Sequence, residues 1–82
     1  MAKYDPLRDH LYLSGKARLT LSFSDIESLV GHLPQSASDH QAWWANDQSG
    51  PHVQAHAWMA AGYRVASVDQ HAGFVTFERD RA

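Results

Sequence analysis

Ala42-Trp43-Trp44-Ala45-Asn46 is followed, after a short polar loop, by Gly50-Pro51-His52-Val53-Gln54-Ala55-His56-Ala57-Trp58. All three tryptophans of the chain lie in this stretch. A small domain with so much aromatic area in one segment uses it in the centre of its core, on a binding face, or both. Proline suits the first position of a helix and glycine suits its end, so Pro51 and Gly62 predict a helix over residues 51–61.

Short runs on either side of this stretch predict three strands. Polar and apolar residues alternate strictly over residues 18–23, which is typical of a half-buried strand. Residues 63–69 and 74–79 predict two more strands, and the intervening Gln70-His71-Ala72-Gly73 predicts the turn of a hairpin.

Two further helices are indicated by their end signals. Asp5-Pro6 opens a helix that ends at Gly15. Ser24 and Glu27 have the spacing of a capping box, and they begin a helix that ends at Gly31. A further helical turn or two is expected over residues 35–40.

This order of elements predicts an α+β fold in one domain, residues 1–82. We expect a small winged-helix-like domain with helices packed on a short antiparallel sheet and a C-terminal β-hairpin. Eighty-two residues leave no room for a second core. The spacing of the apolar residues predicts one buried cluster formed by Leu19, Leu21, Phe23, Ile26, Leu29, Val30, Trp58, Val65 and Phe77.

The composition excludes several classes of function. There is no cysteine, hence no disulfide framework and no thiolate metal site. No apolar run approaches the length of a membrane span, and the first residues lack the apolar region of a signal peptide. We therefore expect a cytoplasmic protein of bacterial type. The formal net charge of −2 argues against general binding of polyanions, but a focused basic patch stays open.

The chain resembles a small bacterial and phage domain of uncharacterised function, which occurs alone and joined to nuclease-like or other domains. The matching residues are Lys3-Tyr4-Asp5-Pro6-Leu7, Leu19-Thr20-Leu21-Ser22-Phe23, Ile26-Glu27, Leu33-Pro34, Ala37, Ala42-Trp43-Trp44-Ala45-Asn46, His52, Gln54-Ala55, Ala57-Trp58, Ala61-Gly62-Tyr63, Val65, Val68-Asp69, Val75-Thr76-Phe77 and Arg79. The resemblance is silent on activity. Two positions where such sequences are basic carry Gln41 and His56 here, which weakens a phosphate-binding role at those two places.

Catalytic and metal sites are not indicated. His52 and His56 have the spacing that can place two imidazoles on one metal ion, but Val53 stands where a zinc-protease helix carries glutamate, and no third ligand is apparent. Solvated histidines on a helix face are the alternative that we prefer. No nucleophile motif or phosphate-binding glycine loop is present. We therefore predict no enzyme activity, no metal and no cofactor.

Polar residues around the aromatic segment predict a nucleic-acid interface. Asn46, His52, Gln54 and His56 would contact bases, since side-chain amides can bond adenine in the major groove. One tryptophan of the pair, Trp43 or Trp44, is expected to be exposed, and Trp43 is included in the interface. The basic residues Lys16, Arg18, Arg64 and Arg79 would hold phosphates. The alternative for Asn46 is a turn or cap, and for Gln54 a position tucked against Trp58.

The function predicted from these residues is DNA binding. The helix over residues 51–61 and the C-terminal hairpin would contact the duplex, with double-stranded DNA as the partner and a homodimer as one arrangement. At least three basic residues of Lys16, Arg18, Arg64, Arg79 and Arg81 should then lie on the face of the helix start at Pro51. The alternative is a protein–protein interaction module, in which an exposed tryptophan, Met59 and Tyr63 form an aromatic patch.

Overall fold

The helices and strands were located in a computed structural model, which describes residues 2–47 and 53–80. The elements are α1 (Asp5–Ser14), β1 (Arg18–Ser22), α2 (Phe23–Val30), α3 (Ser36–Asp39), a 3₁₀ helix (Gln41–Trp44), α4 (Val53–Ala60), β2 (Tyr63–Asp69) and β3 (Phe74–Arg79). Within the described ranges, no helix has both the length and the apolar character needed to cross a membrane.

The three strands form one antiparallel sheet in the order β1-β3-β2. The central strand β3 places Phe77 opposite both Leu19 and Val65. Val75 and Phe77 are buried under the helices, while Phe74 on the opposite face of the strand is exposed. The predicted α+β class, with helices on an antiparallel sheet and a C-terminal hairpin, is confirmed.

Most helix ends lie where glycine was expected to stop them. Gly15 follows α1 with φ of 62°, and Gly62 follows α4 with φ of 86°. Such left-handed backbone costs glycine little, because it has no Cβ. The predicted start of α4 at Pro51 lies outside the described residues, and α3 occupies part of the segment 35–40.

The start of α2 differs from the prediction by two residues. Ser22, rather than Ser24, is the cap: its hydroxyl accepts from the Asp25 N–H at 2.9 Å, and the Asp25 carboxylate accepts from the Ser22 N–H at 3.1 Å. Phe23 is therefore the first residue of the helix and not the last of the strand. Glu27 instead accepts a hydrogen bond from the Leu33 N–H.

Five aromatic rings run in series through the core. Tyr4 contacts Trp43 edge-on, and Trp43 contacts Trp44 edge-on at 4.6 Å between centroids. Trp44 stacks on Trp58, and Trp58 contacts Phe77. Such ring pairs stabilise a core beyond the area they bury.

Both tryptophans of the adjacent pair are buried, so the prediction that one of them is exposed is wrong. Trp43 is 8% exposed and Trp44 is 3% exposed. Consecutive residues of a 3₁₀ helix point about 120° apart. Trp43 therefore turns toward Tyr4 at the start of α1, while Trp44 lies between Phe23 of α2 and Trp58 of α4.

The predicted core cluster is largely confirmed. Leu21, Ile26, Trp58 and Phe77 are buried, with Trp58 and Phe77 fully so. The other predicted members are partly buried and pack against this core; they are Leu19, Phe23, Leu29, Val30 and Val65.

Candidate nucleic-acid interface

The side chain of Asn46 is bonded into the fold. Its oxygen accepts hydrogen bonds from the Trp58 indole N–H at 2.9 Å and from the Val65 N–H at 2.8 Å. Its amide nitrogen donates to the Val65 carbonyl at 3.0 Å. The amide thus bonds both the N–H and the C=O of Val65, as the backbone of a neighbouring strand would. These bonds connect the aromatic segment to strand β2. Asn46 is exposed, but a bidentate contact with adenine would need the oxygen that already accepts two hydrogen bonds.

Gln54 and Trp43 are held together in the interior. Gln54 is 5% exposed, and its side-chain nitrogen donates to the Trp43 carbonyl at 2.9 Å. A buried amide must keep its partners, since an unmet polar group costs about 1–3 kcal/mol. The expectation that Gln54 and Trp43 lie at an accessible interface is therefore corrected: both are buried, and their hydrogen bond joins α4 to the 3₁₀ helix.

His56 is exposed on α4 and lines a groove of about 330 Å³ between α1 and α4. Lys3 and Arg8 lie on the α1 side of this groove. Arg8 is paired with Asp5 and Asp9, so these two carboxylates offset the positive charge that it brings to the groove. His52 lies outside the described residues.

The basic residues come together at the end of the sheet where β1 and β2 begin and β3 ends. The register places Arg18 and Arg64 on either side of Glu78 on the outer sheet face. One oxygen of the Glu78 carboxylate lies 3.1 Å from Arg18, and the other lies 3.0 Å from Arg64. Asp80 lies 3.3 Å from Arg64. A carboxylate therefore bridges two guanidinium groups across three strands.

Arg79 and Lys16 complete this group from the α1 side of the same end. The Arg79 guanidinium donates to the Gly15 carbonyl at 3.1 Å, where α1 ends. The Tyr63 hydroxyl donates to the Lys16 carbonyl at 2.7 Å, which fixes the backbone of Lys16 beside β2. We call the four residues Lys16, Arg18, Arg64 and Arg79 the basic sheet end.

The basic sheet end concentrates positive charge. Arg18 and Arg64 pair with the carboxylates of Glu78 and Asp80, and the backbones of Lys16 and Arg79 lie at the same end. Four basic and two acidic residues therefore lie here, in a chain of net charge −2. The basic sheet end lies beside the end of α4, because the backbone N–H of Asp80 donates to the Gly62 carbonyl at 2.8 Å. Pro51 and Arg81 lie outside the described residues, so the predicted alignment with the helix start stays a prediction.

The strand pattern could have located Glu78 in advance. Arg18, Arg64 and Glu78 all occupy polar positions of alternating strands, near the strand ends that an antiparallel order β1-β3-β2 brings together. Glu78 is absent from the predicted interface because only basic residues are expected to hold phosphates, whereas the strand register shows it as their shared acidic partner.

The aromatic patch of the alternative hypothesis is not present as expected. Tyr63 is 1% exposed, the tryptophans are buried, and Met59 is half-buried. Within residues 2–47 and 53–80, no group of three or more acidic or histidine side chains is placed to hold a metal ion.

The family match covers residues 4–80 and is described as Domain of unknown function (DUF7662). The chain belongs to the DUF7662 family. Its matched residues include every strand of the sheet and all of the basic sheet end. No curated protein and no solved structure matches the chain.

Proposed function

We propose that this DUF7662 domain is a DNA-binding module of winged-helix type that holds backbone phosphates of double-stranded DNA at the basic sheet end. The observation that carries the proposal is the gathering of Lys16, Arg18, Arg64 and Arg79 at one end of the sheet in an acidic chain. The sheet order and the passage from α4 through Gly62 into the hairpin support the winged-helix comparison.

The ion pairs at the basic sheet end can exchange for phosphate at small cost. The side chains of Arg18 and Arg64 are 67% and 48% exposed, and ion pairs so exposed contribute about 0–1 kcal/mol. Guanidinium groups bind phosphate with two parallel hydrogen bonds, which favours the exchange. Glu78 then acts as an internal competitor of the DNA backbone.

This mode of contact recognises the backbone more than the bases. Gln54 is buried, and the exposed Asn46 is bonded to Trp58 and Val65, so the amides predicted to contact adenine have structural partners. Phosphate contacts position a protein on the duplex and carry no sequence information directly. The proposal therefore includes weak sequence preference, with DNA in a bacterial cytoplasm as the partner.

Anisotropy titration of a labelled duplex at several salt concentrations tests the proposal. Affinity should fall with salt, and Arg64→Gln should reduce the slope of log K against log salt by about 0.9, the value for one phosphate contact. Glu78→Gln should tighten binding, because it removes the competitor of Arg18 and Arg64.

Asp39→Asn is the matched control, since it removes the same charge from α3, which contacts the hairpin turn at the other end of the sheet. If binding is independent of salt, or if Glu78→Gln and Asp39→Asn change affinity equally, the basic sheet end is not the DNA contact. Salt-indifferent binding to a protein partner would favour the alternative interaction module.

A further inference from the structure

An exposed aromatic ring lies on the central strand of the sheet, on the face away from the helices. Phe74 is 47% exposed, and it shares this outer face with Thr76 and Glu78 because side chains of a strand alternate. The other large hydrophobic side chains exposed in the described residues, Tyr12, Leu13 and Val53, lie on helices.

The outer sheet face joins this ring to the arginine pair. Phe74 and Glu78 are four residues apart on β3, a distance of roughly 14 Å along the strand. Between them, the hydroxyls of Thr20 and Thr76 bond each other at 2.9 Å. The face thus has an aromatic platform at one end, hydroxyls in the middle and two guanidinium groups around a carboxylate at the other.

We infer that the outer sheet face binds single-stranded nucleic acid, with a base stacked on Phe74 and a backbone phosphate between Arg18 and Arg64. The inference rests on the proposed function, because both use the phosphate contact at Arg18 and Arg64. It adds that the outer sheet face beside this contact binds a single strand. An aromatic ring stacks with any base, and a basic groove follows the backbone, which is how sequence-tolerant single-strand binders work.

Among the residues of the outer sheet face named above, the positive charges favour an oxyanion between Arg18 and Arg64. The Glu78 carboxylate already lies between the two guanidinium groups, which shows that an oxygen-bearing anion fits there. Asp69 stands opposite Phe74, but its carboxylate accepts from the Ala72 N–H in the hairpin turn. A lone exposed phenylalanine offers less apolar area than a stable protein interface needs, so nucleic acid suits this surface better.

The test compares a labelled thymidine oligonucleotide with a duplex of the same length. Phe74→Leu keeps an apolar side chain but removes the ring, and it should weaken single-strand binding at least about fivefold while leaving duplex binding unchanged. Tyr12→Leu removes a ring from α1 that is more exposed than Phe74, at 71% against 47%, and should change neither affinity. Arg64→Gln should weaken both.

A stacking signal comes from Phe74→Trp. The native tryptophans are buried, so the oligonucleotide should quench the added indole directly, and Tyr12→Trp should show no such quenching. If the duplex binds but Phe74→Leu leaves single-strand affinity intact and Phe74→Trp is not quenched, the inference is overturned and the proposed function stands. If neither nucleic acid binds, both fail.

Discussion

Asn46→Ala separates a structural role of this amide from a role in contacting bases. The substitution removes three hydrogen bonds, two at the Asn46 oxygen and one at its amide nitrogen. Their partners differ in burial: the Trp58 side chain is fully buried, whereas Val65 lies on the edge strand and is half-buried. Water can replace the lost partner at Val65 far more easily than at the Trp58 indole.

The magnitude follows from this difference. An unmet buried N–H at Trp58 costs about 1–3 kcal/mol, and the two bonds to Val65 add up to about 1 kcal/mol together. The expected loss is thus roughly 2–4 kcal/mol out of the roughly 4–12 kcal/mol typical of a domain of this size. Asn46→Asp should lose less, because the carboxylate still accepts from Trp58 and from the Val65 N–H.

Urea unfolding followed by tryptophan fluorescence measures the change in free energy, and thermal unfolding gives the melting temperature. The melting temperature of Asn46→Ala should fall by roughly 8–32 °C, at about 4–8 °C for each kcal/mol. Gln41→Ala, at an exposed position of the nearby 3₁₀ helix, is the control and should stay within about 0.5 kcal/mol. A decrease for Asn46→Ala of less than about 4 °C, with reduced DNA affinity, would refute the structural role.

Three further predictions follow from single contacts. Trp58→Ala should reduce stability by about 3–5 kcal/mol, because the side chain is fully buried among aromatic rings, and an unchanged melting temperature would contradict its place in the core. Ser22→Ala should cost about 1 kcal/mol in urea unfolding, whereas Ser24→Ala should cost much less, since the hydroxyl of Ser22 caps α2. Burial raises the pKa of the Tyr4 phenol above its usual value of 10.0. The unfolded chain therefore loses this proton first, so the folded state should lose stability as pH rises above about 10, and Tyr4→Phe should flatten that decline.

The sequence predicted the sheet and most helix ends because local rules determine them. Strict alternation marks the strands, and glycine is the residue that takes left-handed backbone without strain at Gly15 and Gly62. The start of α2 was misplaced because Ser22 and Ser24 both precede an acidic residue by three positions. The strand pairing of Ser22 with Phe74 decides between them, and that contact is distant in sequence.

The residues of the candidate site were harder to predict for a different reason. Asparagine and glutamine beside tryptophans can contact a ligand or satisfy buried backbone groups, and their spacing is the same in both cases. The 3₁₀ helix leaves the Trp43 carbonyl inside the core, where Gln54 meets it. Only the folded chain shows which carbonyl needs a donor.

The same physics explains why the candidate interface lies on the sheet and not, as predicted, at the aromatic segment. The aromatic segment packs its rings inward. The Asn46 oxygen accepts from the Trp58 indole N–H, and the Gln54 amide donates to the Trp43 carbonyl, which are polar groups of the core. Little polar capacity then remains there for a ligand. Arg18 and Arg64 have no such structural demand, because their partner Glu78 is a half-buried surface residue that solvent and phosphate can replace. In a domain this small, we expect a ligand to use groups whose present contacts cost little to break, and Arg18 and Arg64 on the outer sheet face meet that condition.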